Sequence, residues 1–406
     1  MQIVIYEDER RGRFGPLTTF RPVFDLRAGA LTLAEKLTRR RPDWPVAYLP
    51  RPGLADIVRE EKRGAALSDL REEKTCILLA NVLVDDVMLS ALGDVGAETL
   101  LTSGGTSVGA LLDESVRDRL DSLAGGIPPE KLGLPNREEV PARVVRYPWE
   151  LVRLAEEEIA SDIRVLIGSG GREGRIADEA VVSGQSRLSM EEGSAVGPGA
   201  VIDATAGPVH LARDATVMPH AYVQGPAFIG EGSLVRVGAK IYEGTVIGPG
   251  SKVGGEIECS TILGWSNKQH DGFLGHSYVA HWVNIGAGTD TSDLKNTYGN
   301  VRVTMDGETI DTQSQFVGAI IGDHAKIAIG SKLNTGTVVG VFSNIAVDAF
   351  PPKEVRAFSW GTSDGYTDHD LERALETARV VMGRREHELS PAMERLVRRV
   401  HDEVVA

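Results

Sequence analysis

The sequence predicts an α/β domain followed by a parallel β-helix of triangular section, with helices closing the chain. Three observations predict it. Strand-like and helix-like patterns alternate up to about residue 160, aliphatic residues recur at every sixth position from Leu211 onward, and two amphipathic stretches end the sequence. The composition agrees, because 46 glycines and only 5% aromatics in 406 residues suit tight turns and small cross-sections better than a helix bundle.

The α/β domain is expected over residues 1–160. Gln2–Tyr6 is a short β-rich run, Thr32–Arg40 has helical spacing, Val46–Leu49 reads as a strand and Leu54–Lys62 as a helix. Cys76–Val84, CILLANVLV, is a continuous apolar run of the kind found in strands buried on both faces. Leu111–Leu123 has helical spacing and stops at GGIPPEK, and Tyr147-Pro148-Trp149-Glu150 leads into a helix reaching about Ile159. Strands alternating with helices imply a mostly parallel, covered sheet. A linker is expected over 161–175.

From residue 176 to 350 the texture changes. Leu211, Val217, Val223, Ile229, Val235, Ile241, Ile247 and Val253 stand six apart without a break. A shifted set follows at Phe273, Val279 and Ile285, and a last one at Ile321, Ile327, Leu333, Val339 and Ile345. Neither a helix nor an ordinary sheet has a period of six. A triangular β-helix does: each face takes six residues, one aliphatic side chain per face points to the axis, and small residues fit the corners. One coil cannot bury its own core, so stacking supplies the stability.

The register slips between Val253 and Phe273 and is interrupted again over 290–315, a polar stretch expected to be a loop thrown out from the prism, partly a hairpin with Val301–Met305 as one arm. Residues 351–406 form a helical extension, with helices over about Leu371–Met382 and Pro391–Val404. The second carries Met393, Leu396, Val397 and Val400 on one side and is expected to cap an open end or to dock on a neighbouring chain.

The formal charge of −14 disfavours nucleic acid and anionic membranes as partners. Two cysteines far apart, Cys76 and Cys259, give no disulfide scaffold and no cysteine zinc cluster. The first residues, MQIVIYEDERRGRF, lack the features of a signal peptide, and no stretch is apolar enough to span a bilayer, so a cytoplasmic location is expected.

The hexads resemble those of the left-handed parallel β-helix acyltransferases. The whole architecture, a nucleotidyltransferase-like α/β domain followed by the hexapeptide-repeat prism, resembles the GlmU-like family of bifunctional enzymes. The segments that carry the resemblance are FRPVFDLRAG at 20–29, KVGGEI at 252–257, GWSNKQHDGFLGHS at 264–277, NIGAGT at 284–289 and FSWG at 358–361. The resemblance implies acetyl transfer from acetyl-CoA to glucosamine 1-phosphate or a similar hexosamine phosphate, coupled to nucleotidyl transfer from UTP with Mg²⁺ to give UDP-N-acetylglucosamine, in a homotrimer. The alternative is a sugar-1-phosphate nucleotidyltransferase or sugar-phosphate-binding protein whose prism serves mainly for trimerisation.

His270 is the candidate base. It lies where the hexad register slips, among Asn267, Lys268, Gln269 and Asp271, and imidazole has the proton affinity that amine acylation needs. The other reading is a surface-loop histidine. In the resembling family a His precedes a Tyr-Leu-Gly step, and here Phe273-Leu274-Gly275 keeps the ring and loses the hydroxyl. Asn284 is implied to bind sugar or acetyl carbonyl, or else simply ladders with its neighbours. Asn296 and Tyr298 resemble an Asn-Tyr pair with a residue inserted. Arg236 resembles an Arg that contacts the sugar phosphate. The family's next phosphate lysine falls where this chain has Glu256 and Glu258, which would orient an amine or balance Lys252 or Lys268. His276, His281 and His324 read as structural or peripheral, and a metal site built from them is not expected.

The coenzyme is implied to lie along the coils, with Ala319, Ile320, Gly322, Lys326, Ser331, Lys332 and Thr337 as candidates. In the first domain the family's Gly-rich phosphate cradle is absent. Arg10, Arg11, Arg13, Arg21 and Arg27 are candidate phosphate contacts, Asp25 positions one of them, and Lys36 and Asn81 complete the nucleotide-binding set. Asp85 and Asp86 are the candidate Mg²⁺ ligands, although a carboxylate pair at a strand end is usually a turn or helix cap.

Overall fold

The computed structural model describes residues 1–8, 13–62, 70, 73–113, 115–125, 127–167 and 173–405. The candidates Arg10 and Arg11 lie outside them. The chain divides into two compact units, one made of Met1–Phe14, Phe20–Leu26 and Leu31–Tyr147 and the other of Gly15–Thr19, Arg27–Ala30 and Pro148–Ala406.

The first unit is nucleotidyltransferase-like and is built on β1 (Gln2–Tyr6), β2 (Val46–Leu49), β3 (Thr75–Leu79), β4 (Val82–Leu83), β5 (Thr99–Ser103), β6 (Thr106–Leu112), β7 (Asn136–Glu139) and β8 (Arg143–Val144). Its main sheet runs β2-β1-β3-β6-β5-β7. β1 pairs in parallel with β2 and β3, and β5 with β7, whereas β6 is antiparallel to both β3 and β5. The helices are α1 (Leu33–Arg40), α2 (Ala55–Glu61), α3 (Asp86–Asp94) and α4 (Val116–Ala124). Thr32 starts α1 with a reciprocal cap: its hydroxyl accepts from the Glu35 amide, and the Glu35 carboxylate accepts from the Thr32 amide.

Two expectations change here. The helix expected over Leu111–Leu123 starts only at Val116, because Leu111 and Leu112 finish β6, whose residues 107–112 are all buried. A strand buried on both faces has no alternation, so its end imitates a helical stripe. The apolar run Cys76–Val84 is two strands, β3 and β4, separated by a turn at Ala80–Asn81.

The second unit begins with α5 (Pro148–Arg153) and α6 (Ala155–Ile167) and is dominated by a left-handed parallel β-helix. Residues 161–167, expected in a linker, are the last turns of α6. Among the described residues the prism has faces of nine, eleven and six strands. Successive coils pair in register, as in Val217↔Val235↔Val253 and Val223↔Ile241↔Ile257. The hexad residues from Leu211 to Val253 are fully buried in one continuous core. Ala155, Ile159 and Ile163 of α6 pack with Ala212, Phe228 and Val246 on the outside of the nine-stranded face, which binds this helix to the solenoid.

The slip after Val253 is not a break in the coil. The inward residues continue as Ile257, Ile262, Lys268 and Leu274, so shortened corners, not an excursion, shift the phase. The inward residue of that last strand is Leu274, fully buried, and Phe273 faces outward. The inserted segment does contain a hairpin, Arg302–Met305 paired antiparallel with Glu308–Asp311, while Asp290–Thr291 still belongs to a coil, in register with Lys332–Leu333.

The corner between the nine- and eleven-stranded faces carries Trp265, Trp282, His324, Phe342 and Phe358, each in the left-handed region. Neighbouring rings stack at 5.7, 6.2, 4.5 and 5.2 Å. Gly250 makes room at the same corner: a Cβ there would meet the Trp265 ring at 2.2 Å. Helices α7 (Leu371–Gly383) and α8 (Pro391–Val405) lie against the chain's own prism, with His401 edge-on to Phe358 at 5.0 Å and His387 edge-on to Trp265 at 4.1 Å. Among the described residues no helix is long and apolar enough to cross a membrane.

Candidate functional site

Lys268 occupies an inward position of the eleven-stranded face, in line with Val253. Its stem is buried and its ammonium donates to the carbonyls of Gly254 (3.0 Å), His270 (3.0 Å) and Gly272 (2.7 Å). Burial pushes that ammonium down to about 8, against the opposing pull of Asp290, Asp271 and Glu256. Lys268 therefore braces the corner from inside, and its ammonium is committed to the backbone instead of to a substrate. The corner it braces presents His270, which is exposed.

Past this corner the six-stranded face stacks Tyr222, Lys240, Glu256 and Phe273 in register. Lys240 Nζ lies 3.4 Å from Glu256 Oε2, and Asp290 Oδ1 accepts from the Phe273 amide at 2.7 Å. A cleft of about 310 Å³ opens here, lined by Lys240, Gly255, Glu256, Asp271, Phe273 and Asp290 among others. Three carboxylates and one ammonium make it net acidic, which suits a cationic amine. At the far end of the Phe273 strand, His276 Nδ1 sits 2.8 Å from Asp293 Oδ2, and the ring stacks on Phe316 at 5.0 Å. Glu258 is nearby; burial raises its carboxyl, partly offset by His276.

Before the corner, the eleven-stranded face stacks Leu234, Lys252, Asn267 and Asn284 in register, with Arg236 just beyond Leu234. Asn284 is exposed. Arg385, on the turn after α7, donates to the Gly250 carbonyl at 2.7 Å and to Asn267 Oδ1 at 2.8 Å. Asn296 and Tyr298 are exposed on the inserted segment, and among the described residues no hydrogen bond joins them to the His270 corner.

Most of the expected coenzyme contacts are interior. Ala319, Ile320, Ser331 and Thr337 are buried, and the Ile320 and Gly322 amides are spent on Thr337 and Val339 carbonyls. The Ser331 and Thr337 hydroxyls donate to Ala328 and Asn334 carbonyls, and Lys326 Nζ to those of Trp282 and His324. A β-helix saturates its backbone from coil to coil, so a residue on a coil offers a ligand little unless its side chain faces out. Lys332 is exposed. Of the seven candidates it alone presents a charged side chain at the surface.

In the first unit Asp25 is half-buried, with its carboxylate out of solvent and paired with Lys62 at 2.7 Å; burial raises its carboxyl despite that partner. Arg21 and Lys36 are buried, and Arg13 is exposed. Asn81 donates to the Val145 carbonyl at 3.0 Å, and its Oδ1 is buried without a partner among the described residues. Arg27 packs instead in the second unit, where its backbone exchanges two hydrogen bonds with the Tyr278 hydroxyl and its guanidinium lies over Phe228 and donates to the Ala30 carbonyl. Asp85 caps α3 by accepting from the Met88 amide at 2.8 Å and faces Arg143 at 3.5 Å, while Asp86 lies 3.4 Å from Arg40. Among the described residues no group of three metal-ligating side chains forms. Both aspartates face basic side chains in the fold.

Residues 3–169 match the sugar nucleotidyl transferase family model. The chain is also similar to the bifunctional protein GlmU of Acidithiobacillus ferrooxidans, 32% identical over 141 residues that make up 34% of this chain and 30% of that protein. A bifunctional sugar-1-phosphate nucleotidylyltransferase/acetyltransferase of Sulfurisphaera tokodaii is 29% identical over 113 residues, 27% of this chain and 28% of that one. The matched stretches thus span under a third of these curated relatives. A solved UDP-N-acetylglucosamine acyltransferase of Francisella novicida aligns at 16% identity over 50% of this chain and 73% of its own, with a TM-score of 0.33. The chain joins a nucleotidyltransferase-like unit to a hexapeptide-repeat solenoid, and over the matched stretches it is similar to these curated bifunctional proteins.

Three site features escaped the sequence reading. Arg385 reaches Asn267 across 118 positions, and no local pattern announces such a contact. His276 carries no motif and reads as structural or peripheral, because its partner Asp293 stands 17 residues away. Glu7, at the end of β1, is buried and accepts from the Val23 amide at 3.0 Å and from Arg51 at 2.7 Å. Its position directly after an apolar strand was the available signal.

Proposed function

We propose that this chain is an N-acetyltransferase of amino-sugar metabolism. It moves an acetyl group from acetyl-CoA to the amine of glucosamine 1-phosphate or a similar hexosamine phosphate. The observation that carries the reading is the exposed His270, braced from inside by Lys268 and set beside an acidic cleft on a hexapeptide-repeat solenoid. Glu256, Asp271 and Asp290 attract the protonated amine, which gives one proton to solvent to become the free nucleophile, and His270 takes the second proton, shed as the free amine adds to the thioester carbonyl. The C–S bond breaks and the thiolate leaves to be protonated. Asn284 and Phe273 border the acceptor on either side of the corner, and Lys332 meets the coenzyme phosphates.

The match of residues 3–169 supports a second activity in the first unit, attack of the acetylated sugar phosphate on the α-phosphorus of UTP with release of pyrophosphate, with Arg13, Arg21 and Asn81 toward the nucleotide. Assembly as a homotrimer in the cytoplasm belongs to the same proposal. The interior placement of most coenzyme candidates favours a second reading, a sugar-phosphate nucleotidyltransferase whose solenoid assembles it. Thiol release from acetyl-CoA, measured with glucosamine 1-phosphate and repeated with His270→Ala, separates the two. Release lost in the variant supports acetyl transfer, and no release from the unaltered protein supports the second reading.

A further inference from the structure

The inserted segment builds a pocket of its own. It leaves the coil after Asp290–Thr291, runs out as the hairpin of Arg302–Met305 and Glu308–Asp311, and rejoins the nine-stranded face at Ile320–Ile321. The hairpin is packed: Val301, Val303 and Met305 are fully buried. Its turn is held by Glu354, whose carboxylate accepts from the amides of Asp306 at 2.7 Å and Gly307 at 3.2 Å. Gly336 lets the arm lie close, since a Cβ there would stand 3.0 Å from the Arg302 carbonyl oxygen. Between this arm and the coils it packs on lies a cavity of about 440 Å³, lined by Lys295, Asn300, Arg302, Asp311, Thr335 and Lys353. We propose that this cavity binds a diphosphate-bearing small molecule, at a place separate from the His270 corner and its acidic cleft.

Three cations meet there with one carboxylate, in a chain whose net charge is −14. Lys353 is half-buried and donates to the Thr335 carbonyl and hydroxyl. Burial first, and then Lys295, lower its proton affinity. Lys295, also half-buried, donates to the Asn300 carbonyl at 3.1 Å. The Arg302 guanidinium makes no hydrogen bond, and none of the three cations has an ion pair among the described residues. Asp311 stands opposite Arg302 in the ladder, but its Oδ1 accepts from the Gln313 amide at 2.9 Å. The packed hairpin keeps the roots of these side chains together, and an anion relieves the repulsion between their charges. A guanidinium fork with two ammonium groups matches the oxygens of two linked phosphates better than a single carboxylate. The volume is that of a small-molecule site, more than one phosphate fills, and Asn300 and Asp311 offer an amide and a carboxylate to the rest of the ligand. The acidic cleft stands on the coils of Lys240, Glu256, Phe273 and Asp290, and the pocket on those that follow, where Lys353 reaches Thr335. Among the described residues none lines both, and neither Arg236 nor Lys332 lines the pocket.

The pocket does not rest on the function proposed above. Calorimetric titration of the full chain with pyrophosphate and with UDP, at low salt, tests it. The double variant Lys295→Gln/Arg302→Gln is expected to weaken one binding component at least about tenfold. Arg302→Gln alone removes no side-chain hydrogen bond of the fold and is expected to weaken the same component several-fold with an unchanged melting midpoint. Pyrophosphate or UDP held by the first unit survives in both variants, so the component that is lost reports the pocket. If UDP binds that component more tightly than pyrophosphate, the ligand is a nucleotide; if the two are equal or pyrophosphate is tighter, it is the free diphosphate. Isotherms unchanged in both variants overturn the site. Loss of the component when acetyl-CoA or glucosamine 1-phosphate is added makes the pocket part of a substrate site and overturns its separateness; a component that persists in both supports it.

Discussion

His276 Nδ1 and Asp293 Oδ2 stand 2.8 Å apart, which ties the end of the Phe273 strand to the start of the inserted segment. A carboxylate that orients an imidazole is also what an effective base requires, so His276 is the natural rival of His270. The two rings flank one strand at opposite ends, and a single proton cannot serve both. His270→Ala is expected to lower kcat for acetyl transfer at least about a hundredfold. His276→Ala is expected to lower kcat by less than about tenfold and to destabilise the chain by about 1–2 kcal/mol, from the lost charge-assisted bond. The reverse pattern in a thiol-release assay would move the base to His276.

Lys268 makes a pH signature. Its ammonium titrates at about 8 in the fold because of burial, whereas an unfolded lysine titrates near about 10.4. Between those values the unfolded chain binds more protons, so the unfolding free energy rises with pH over that window. Lys326, also lowered to about 8 by burial, contributes with the same sign. Lys268→Met is expected to remove roughly half of this rise. At pH 7 it should cost about 2 kcal/mol, because three carbonyls lose their donor. Urea melts at pH 7, 8.5 and 10 read both effects.

How far the sequence could be read follows from what each part depends on. The solenoid was legible because its core repeats locally: Leu211 through Val253 bury at every sixth position, with no long-range information needed. Phe273 was placed inward because a constant period was carried across corners that are shortened, and a corner's length is set by packing on the coils above and below. Lys268 defeated the reading in another way, since a lysine does not announce an inward position that it can occupy only by reaching three carbonyls. In the first unit, β6 and the end of Cys76–Val84 were blurred because fully buried strands lose their alternation. His270 was visible from its context, whereas Arg385 and Asp293 became site residues only through tertiary contact.

Phe358 closes the corner stack, lying parallel to Phe342 at 5.2 Å and edge-on to His401 of α8 at 5.0 Å. The side chain is fully buried. Phe358→Ala is expected to cost about 3–4 kcal/mol through the cavity and the lost ring contacts. Because α8 docks partly through this ring, the loss should appear first as release of the C-terminal helices. Limited proteolysis should then cut between residues 362 and 391 while the remaining prism resists. Uniform digestion of the whole solenoid would show instead that the helices are not a separate docking unit.

Asp85 offers a choice between a structural and a metal role in the first unit. Its carboxylate accepts from the Met88 amide at 2.8 Å, the bond that starts α3, and Arg143 stands 3.5 Å away. An N-cap acts through one side-chain oxygen, which an amide also supplies, whereas a metal ligand needs the charge. Asp85→Ala is therefore expected to cost about 1 kcal/mol, and Asp85→Asn only a few tenths of about 1 kcal/mol. Exchange of pyrophosphate into UTP, measured with both variants at several Mg²⁺ concentrations, should follow stability: near the parent rate for Asp85→Asn, with the same half-saturating Mg²⁺. A rate that collapses in Asp85→Asn while its melting midpoint holds would restore the carboxylate to the chemistry and reduce the cap to its resting geometry.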